Sequence, residues 1–230
     1  MNDEVNISFQ DKVKISSGFV LCSPPGEVND VFNDVRTLLN DDEALQDGVL
    51  QAIEQYNIEQ YITVTPPDSD YKVIISQYGK LEEDRFLDPR SKQSFKFDHM
   101  RLVAYDVEEY TGQTELESLR AAVEKECLAY VGDHYPNGVC TIYANNNKDI
   151  IIAVVDNKYN PNNFWNGRWL ATWIYDTQSN NLKGCTKINV HYYEDGNVQL
   201  NTEKNVDSQI PSNEVRFLNY RIFACVSLIY

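Results

Sequence analysis

In EVNDVFNDVRTLL (27–39) the apolar residues Val28, Val31, Phe32, Val35, Leu38 and Leu39 recur at helical spacing and predict a helix with one buried stripe. Pro24-Pro25-Gly26 just before it ends an earlier helix around 12–21. Asp41 or Asp42 then caps a third helix carrying Leu45, Val49, Ala52, Ile53 and Tyr56. Connections this short predict three helices packed antiparallel. Pro66-Pro67 breaks the pattern, and YKVIISQYG (71–79) and SFKFDHM (94–100) predict short strands separated by a polar turn segment containing Asp88-Pro89-Arg90. Helical period returns over 114–134, with Leu116, Leu119, Val123, Cys127, Tyr130 and Val131 inward, and with Thr114 and Glu117 as N-cap and N3 of a capping box.

From Gly138 the pattern turns to strands: VCTIYA, IIIAVVD, GRWLATWIYD, CTKINVHYY and NVQLNTEK, with Asn, Gly, Asp or Pro at the joints. Glu194-Asp195-Gly196-Asn197 suits a two-residue type I′ turn at Asp195-Gly196, whose central residues need positive φ. On the third run Trp169, Ala171, Trp173 and Tyr175 share a face, against Leu170, Thr172 and Ile174 on the other. On the fourth, Ile188, Val190 and Tyr192 oppose Lys187, Asn189, His191 and Tyr193. Large side chains on both faces predict a sheet covered on both sides. Helix 114–134 can cover part of it; the remainder requires a partner chain, or else apolar area stays exposed. The fold class expected is α+β: an antiparallel three-helix module over 1–65, connecting strands and a helix over 66–137, a five-stranded antiparallel meander over 138–206, and a tail over 207–230, all one structural unit.

Composition narrows the function. A formal net charge of −15 offers no phosphate-neutralising stripe, which excludes nucleic acid, and it disfavours anionic membranes. The acidic start MNDEVNISFQDKVK has no signal-peptide character, so the Asn6-Ile7-Ser8 sequon is expected to be inert. Cys22, Cys127, Cys140, Cys185 and Cys225 are odd in number, widely spaced and without a CxxC, which fits a reducing cytoplasm. The stretch FLNYRIFACVSLIY is shorter than the roughly 20 apolar residues of a spanning helix and contains Asn219 and Arg221, so no membrane span is expected. An extra strand or a short aggregation-prone segment suits it better.

No reaction centre emerges. His99, His134 and His191 lie in different elements, without an HExxH pair; GxSxG, GxxxxGK[ST] and GxGxxG are absent. Catalytic, metal and cofactor residues are therefore expected to be none. Glu194-Asp195 reads as the polar tip of a hairpin rather than an acid pair. His191 stands as general base or sheet-face residue, the second fitting its tyrosine neighbours. Trp165 and Trp169 around Arg168 suit a sugar or base platform, or core and interface packing with a cation–π contact, the commoner use.

VHYYEDGNV (190–198) resembles the signature block of the F-actin capping protein alpha subunit family. PPGEVNDVFNDVRTLL (24–39), RFLDPRSKQSFKFDHMR (85–101), DHYPNGVCTIYA (133–144) and NFWNGRW (163–169) resemble other blocks of that family in the same order. The resemblance implies a heterodimer with a capping protein beta subunit, each chain giving a helical stalk and an antiparallel sheet that join into one, with long C-terminal helices across it. It implies calcium-independent binding to the barbed ends of actin filaments, which blocks subunit exchange, in the cytoplasm at the actin cytoskeleton. Dynactin and capping regulators are further partners it brings. Trp165, Asn166, Gly167, Arg168 and Trp169, with Val190, His191, Tyr192, Tyr193, Glu194, Asp195, Gly196, Asn197 and Val198, then stand as structural or subunit-interface residues. After Ser212-Asn213-Glu214 the blocks stop, and VRFLNYRIFACVSLIY follows where the family carries a long helix and a basic amphipathic end. The family's C-terminal helix and tentacle are thus expected to be missing, the actin-binding residues are unassigned, and capping is expected to be impaired. The alternative is a truncated form that binds the beta subunit without capping.

Overall fold

The computed structural model describes residues 7–41, 43, 45–145 and 148–210. The expectations about Asn6, Asp42, Cys225 and the tail beyond residue 210 lie outside these residues.

Helix α1 spans Phe9–Leu21, starting where the Ser8 hydroxyl accepts the Asp11 N–H at 3.1 Å. Helix α2 spans Val28–Leu39 and stops at Asn40, which adopts the left-handed conformation. A π-helical turn, Leu45–Val49, runs into α3, Leu50–Glu59. α1 packs closely on that turn at Gly48, where an added Cβ would lie 2.1 Å from Val13 Cγ1. The buried faces of the module meet in one core of Val20, Phe32, Val35, Val49, Ile53 and Tyr56. At the end of α3, Tyr61 takes a positive φ and Ile62 N–H closes on Asn57 O at 3.0 Å, which turns the chain toward the sheet.

The connecting region is richer in strands than its sequence predicts. β1 (Thr63–Val64) pairs with β2 (Val73–Ile74), and β3 (Arg85–Asp88), β4 (Gln93–Asp98) and β5 (Val103–Glu109) form a three-stranded antiparallel sheet. β3 falls where a polar turn segment was expected. Its charged residues are buried because tertiary partners satisfy them: Arg85 donates to Ser94 and Asp106, and Asp88 accepts from Tyr71 and Ser91.

Helix α4 spans Glu117–His134 and turns Val123, Cys127 and Val131 inward. Its expected capping box does not form. Leu116 is the N-cap, Thr114 Oγ1 accepts the Leu116 N–H, and the Glu117 carboxylate takes two bonds from buried Arg120 at 2.9 and 3.0 Å. A bidentate ionic pair outcompetes the reach back to a backbone N–H.

The main sheet runs β10-β9-β8-β7-β6, an antiparallel meander of β6 (Val139–Asn145), β7 (Asp149–Asn160), β8 (Trp165–Asp176), β9 (Asn181–Tyr192) and β10 (Val198–Gln209). The α+β class and the five-stranded meander are as the sequence predicts. The type I′ turn is not. Tyr192 pairs with Val198, so the connection is the longer Tyr193–Asn197 loop, and neither Asp195 nor Gly196 has a positive φ. A loop of that length reverses the chain without left-handed residues.

Both faces of the central strands are covered, largely by the chain itself. α4 packs on the face carrying Ile142, Ile152, Ala171, Trp173 and Tyr175. Tyr61, Ile74 and Tyr78 pack on the face carrying Tyr143, Ile151, Ala153 and Leu170. Among the described residues of the main sheet, apolar exposure is greatest at the β9–β10 end, where Val198 is 62% and Leu200 56% exposed.

Candidate functional site

Where the helical module meets the sheet, a polar network crosses between them. Gly26 begins it, with φ +82°, its backbone lying against the Tyr159 ring so closely that a Cβ would stand 3.0 Å from Cε1. This aims the next side chain, Glu27, at the sheet. Glu27 Oε1 lies 2.7 Å from His191 Nδ1 and accepts from Asn166 Nδ2 at 3.1 Å. The other ring nitrogen of His191 is 3.1 Å from Asn197 Oδ1, tying the β9–β10 loop into the same cluster.

Beside it lies the guanidinium of Arg168, only 2% exposed. Its Nε donates to Asn157 Oδ1 at 2.7 Å, one Nη to Gln60 Oε1 at 3.2 Å, and the other to Tyr159 Oη at 2.8 Å. The Tyr56 ring stands 5.9 Å away. These acceptors are neutral oxygens, and they come from the end of α3 and from β7, the strand beside the guanidinium's own. Burial raises the Tyr56 phenol pKa, and Arg168 pulls the other way. Tyr61 Oη and Thr172 Oγ1, 2.5 Å apart, add a further bond from the helical module to β8. Past this bond an open cleft of about 800 Å³ separates the end of α3 from β8–β10.

The structure divides the family-block residues between two faces. Asn166, Arg168, His191 and Asn197 meet on the side of the helical module. Trp165, Gly167, Trp169, Val190, Tyr192 and Val198 share the opposite side by their paired registers. The two tryptophans therefore do not flank Arg168. Trp165 has Lys158 Nζ 5.5 Å from its ring, and Trp169 stacks on Tyr135 at 4.8 Å. The strand period sends alternate residues of NFWNGRW to opposite faces, which breaks a cluster that looks contiguous in sequence. Tyr193 packs edge-on to Phe164, while Glu194, Asp195 and Gly196 form the exposed loop, Glu194 accepting from Tyr192 Oη.

Glu27, Tyr56, Gln60, Asn157 and Tyr159 complete the network without having been singled out as site residues. Glu27 sits inside the PPGEVNDV block, but its partners are 139 and 164 residues away, beyond any local pattern. Among the described residues no group of three or more His, Cys, Asp or Glu is arranged to hold a metal ion. No described helix is long and apolar enough to cross a membrane. What the arrangement does chemically is fasten helices to a sheet.

This α+β scaffold, helical module on a five-stranded meander, is that of the capping proteins. A solved structure of the homodimeric actin capping protein alpha subunit from Plasmodium berghei matches with a TM-score of 0.78, covering 96% of this chain and 88% of that one at 20% identity, a likeness of fold. The family model of the F-actin capping protein alpha subunit matches residues 16–227, running past Glu214, and the chain belongs to that family. Among curated relatives, the F-actin-capping protein subunit alpha of Neurospora crassa is 40% identical over 200 residues, covering 86% of this chain and 73% of its own length. That of Caenorhabditis elegans is 39% identical, covering 86% and 72%, and that of Dictyostelium discoideum 32%, covering 95% and 80%.

Proposed function

We propose that this chain is the alpha subunit of a heterodimeric actin capping protein. It pairs with a capping protein beta subunit, and the pair binds the barbed ends of actin filaments without calcium and blocks subunit exchange there, in the cytoplasm at the actin cytoskeleton. The family match over residues 16–227 carries this reading. The fold supports it: among the described residues nothing pairs the outer edge of β10, and the side chains of that strand stand exposed on both faces. An unpaired edge of 12 residues is a template for a second polypeptide. The family-block residues Trp165, Tyr192 and Val198 would face the shared interior of such an assembly, and the Glu27–His191–Arg168 network would hold the helical module at a fixed angle to it.

A second reading, binding the beta subunit without capping, is favoured by charge. A chain at −15 is repelled at long range by acidic actin. Co-expression with a beta subunit followed by size exclusion tests the first step, and a pyrene-actin elongation assay from barbed ends tests the second. A one-to-one complex that slows elongation supports the proposal. A complex without effect on elongation selects the second reading, and absence of a complex overturns both.

A further inference from the structure

The sequence contains four steps at which aspartate or asparagine precedes glycine: Asp47-Gly48, Asn137-Gly138, Asn166-Gly167 and Asp195-Gly196. We propose that in the folded protein Asp195 is a site of spontaneous modification, isomerising to isoaspartate, and that the lengthened loop draws Asn197 away from His191.

The reaction is intramolecular. The glycine backbone nitrogen attacks the side-chain carbonyl carbon of the preceding residue and closes a succinimide ring. The amide proton leaves with the expelled group, as water from an aspartate or ammonia from an asparagine. Water then reopens the ring at either carbonyl. Opening at the former backbone carbonyl breaks its bond to the glycine nitrogen, routes the chain through Cβ and leaves the carboxylate on Cα. For an aspartate the charge is unchanged and the backbone gains one methylene. Glycine suits the second position because it carries no Cβ to obstruct the nitrogen. Ring closure also needs a backbone free to bring the two atoms to within about 3–3.5 Å.

Asparagine is the intrinsically faster residue of the two, but the fold reverses the order. Asn166-Gly167 lies inside β8, paired on both sides, and the Asn166 amide is held by Glu27 and by the Asn160 N–H. At Asn137-Gly138 the glycine N–H donates to Tyr135 O at 3.0 Å, and the Asn137 N–H donates to the Asp156 carboxylate. That backbone is wedged, since a Cβ on Gly138 would stand 2.5 Å from Tyr135 Cβ and 2.6 Å from Val131 Cγ1. Asp47-Gly48 belongs to the π-helical turn, with Gly48 buried against Val13. Asp195-Gly196 is the exception. Both residues are exposed, and among the described residues neither the Asp195 carboxylate nor the Gly196 N–H has a hydrogen-bond or ionic partner. A Cβ on Gly196 would meet nothing within 4 Å.

The loop is fixed only at its ends. The Tyr193 N–H is bonded to Phe164 O at 2.9 Å, and Tyr192 stands opposite Val198. Asn197 Oδ1 is 3.1 Å from His191 Nε2 and accepts from Gln199 Nε2 at 3.2 Å. An extra methylene two residues earlier, between fixed ends, displaces Asn197 and takes from His191 its tie to the loop.

The test incubates the full chain at physiological temperature and neutral pH, folded or in urea, and follows it by peptide mapping with electron-transfer fragmentation, which separates isoaspartate from aspartate. The folded chain is expected to convert at Asp195 ahead of every other step, whereas in urea Asn137 and Asn166 convert first. Gly196→Ala, at a position with open space and no positive φ, keeps the fresh melt and loses most of the conversion. The aged wild type melts about 2–4 °C lower, as does fresh Asn197→Ala. Aged Asn197→Ala falls no further. A folded chain that reacts first at Asn137 or Asn166, or that keeps aspartate at 195 while the chain in urea converts, overturns the site. Conversion of Gly196→Ala at the wild-type rate overturns the ring chemistry. An aged wild type with an unchanged melt, or a further drop in aged Asn197→Ala, overturns the link to His191.

Discussion

His191 Nδ1 and Glu27 Oε1 stand 2.7 Å apart, joining the end of strand β9 to the entrance of helix α2 across 164 residues of sequence. The contact is mostly buried and shared with Asn166, so the carboxylate answers two donors at once. Together with Arg168 it makes the helical module and the sheet one mechanical body. Such rigidity matters to a protein whose proposed work is to present an assembled surface to a filament end.

Replacing Glu27 tests that body at its narrowest point. Glu27→Ala leaves His191 and Asn166 without their acceptor, and the expected loss is about 1–3 kcal/mol in a urea melt. Glu27→Gln keeps an acceptor oxygen and should lose less. Equal losses from the two would show that the carboxylate's bonds to the sheet do not matter.

Arg168 should tolerate no conservative exchange. Its fork donates to Asn157, Gln60 and Tyr159 in three directions. Lysine offers a point charge that cannot span them. Arg168→Lys and Arg168→Met are each expected to destabilise by about 2 kcal/mol or more, since buried acceptors are left unpaired. A lysine variant with wild-type stability would disprove the claim.

Two glycines of neighbouring strands should behave oppositely. At Gly184 an added Cβ would stand 2.2 Å from the Trp173 ring, so Gly184→Ala is expected to cost about 1–3 kcal/mol through displacement of the indole. At Gly167 the nearest atom would be 3.7 Å away, ordinary contact, and Gly167→Ala should leave the melting temperature level or slightly raised. Parallel thermal melts decide it.

His99 gives the fold a pH dependence of known sign. It packs against Phe86 and Phe97, and Asn57 Nδ2 donates to its backbone carbonyl at 2.9 Å. Burial lowers its pKa below the ordinary value of 6.5; among the charges around it, Lys80 acts in the same direction, while Glu54, Asp84 and Asp98 oppose. The neutral ring is favoured in the folded state, so its contribution is fully present above about pH 6.5 and is lost as pH falls through the lower folded value. The stability difference between wild type and His99→Gln should accordingly shrink on acidification from about pH 7.5 to pH 5. A difference that is flat over that range would refute the sign.

Much of the fold was legible in local pattern. The stripe of Val28, Phe32 and Val35 located α2, and the alternation of Trp169, Ala171, Trp173 and Tyr175 against Leu170, Thr172 and Ile174 described β8 and both its covered faces. The strand β3 is not legible, because Arg85 and Asp88 are buried through bonds to residues elsewhere and so look like a turn. The Asp195-Gly196 turn misled for a related reason: the register is set by Tyr192 opposite Val198, and the loop had room to spare.

Periodicity along the chain determined the elements by itself, since helical and strand spacing each place apolar groups on one face regardless of what that face will meet. The five ordered blocks likewise fixed the family. Only the tertiary structure decided that NFWNGRW is split between two faces, that Glu27 is the partner of His191, and that among the described residues no strand pairs the outer edge of β10. Each of these depends on which distant backbone lies alongside, and contacts across more than a hundred residues leave no period in the sequence to be read.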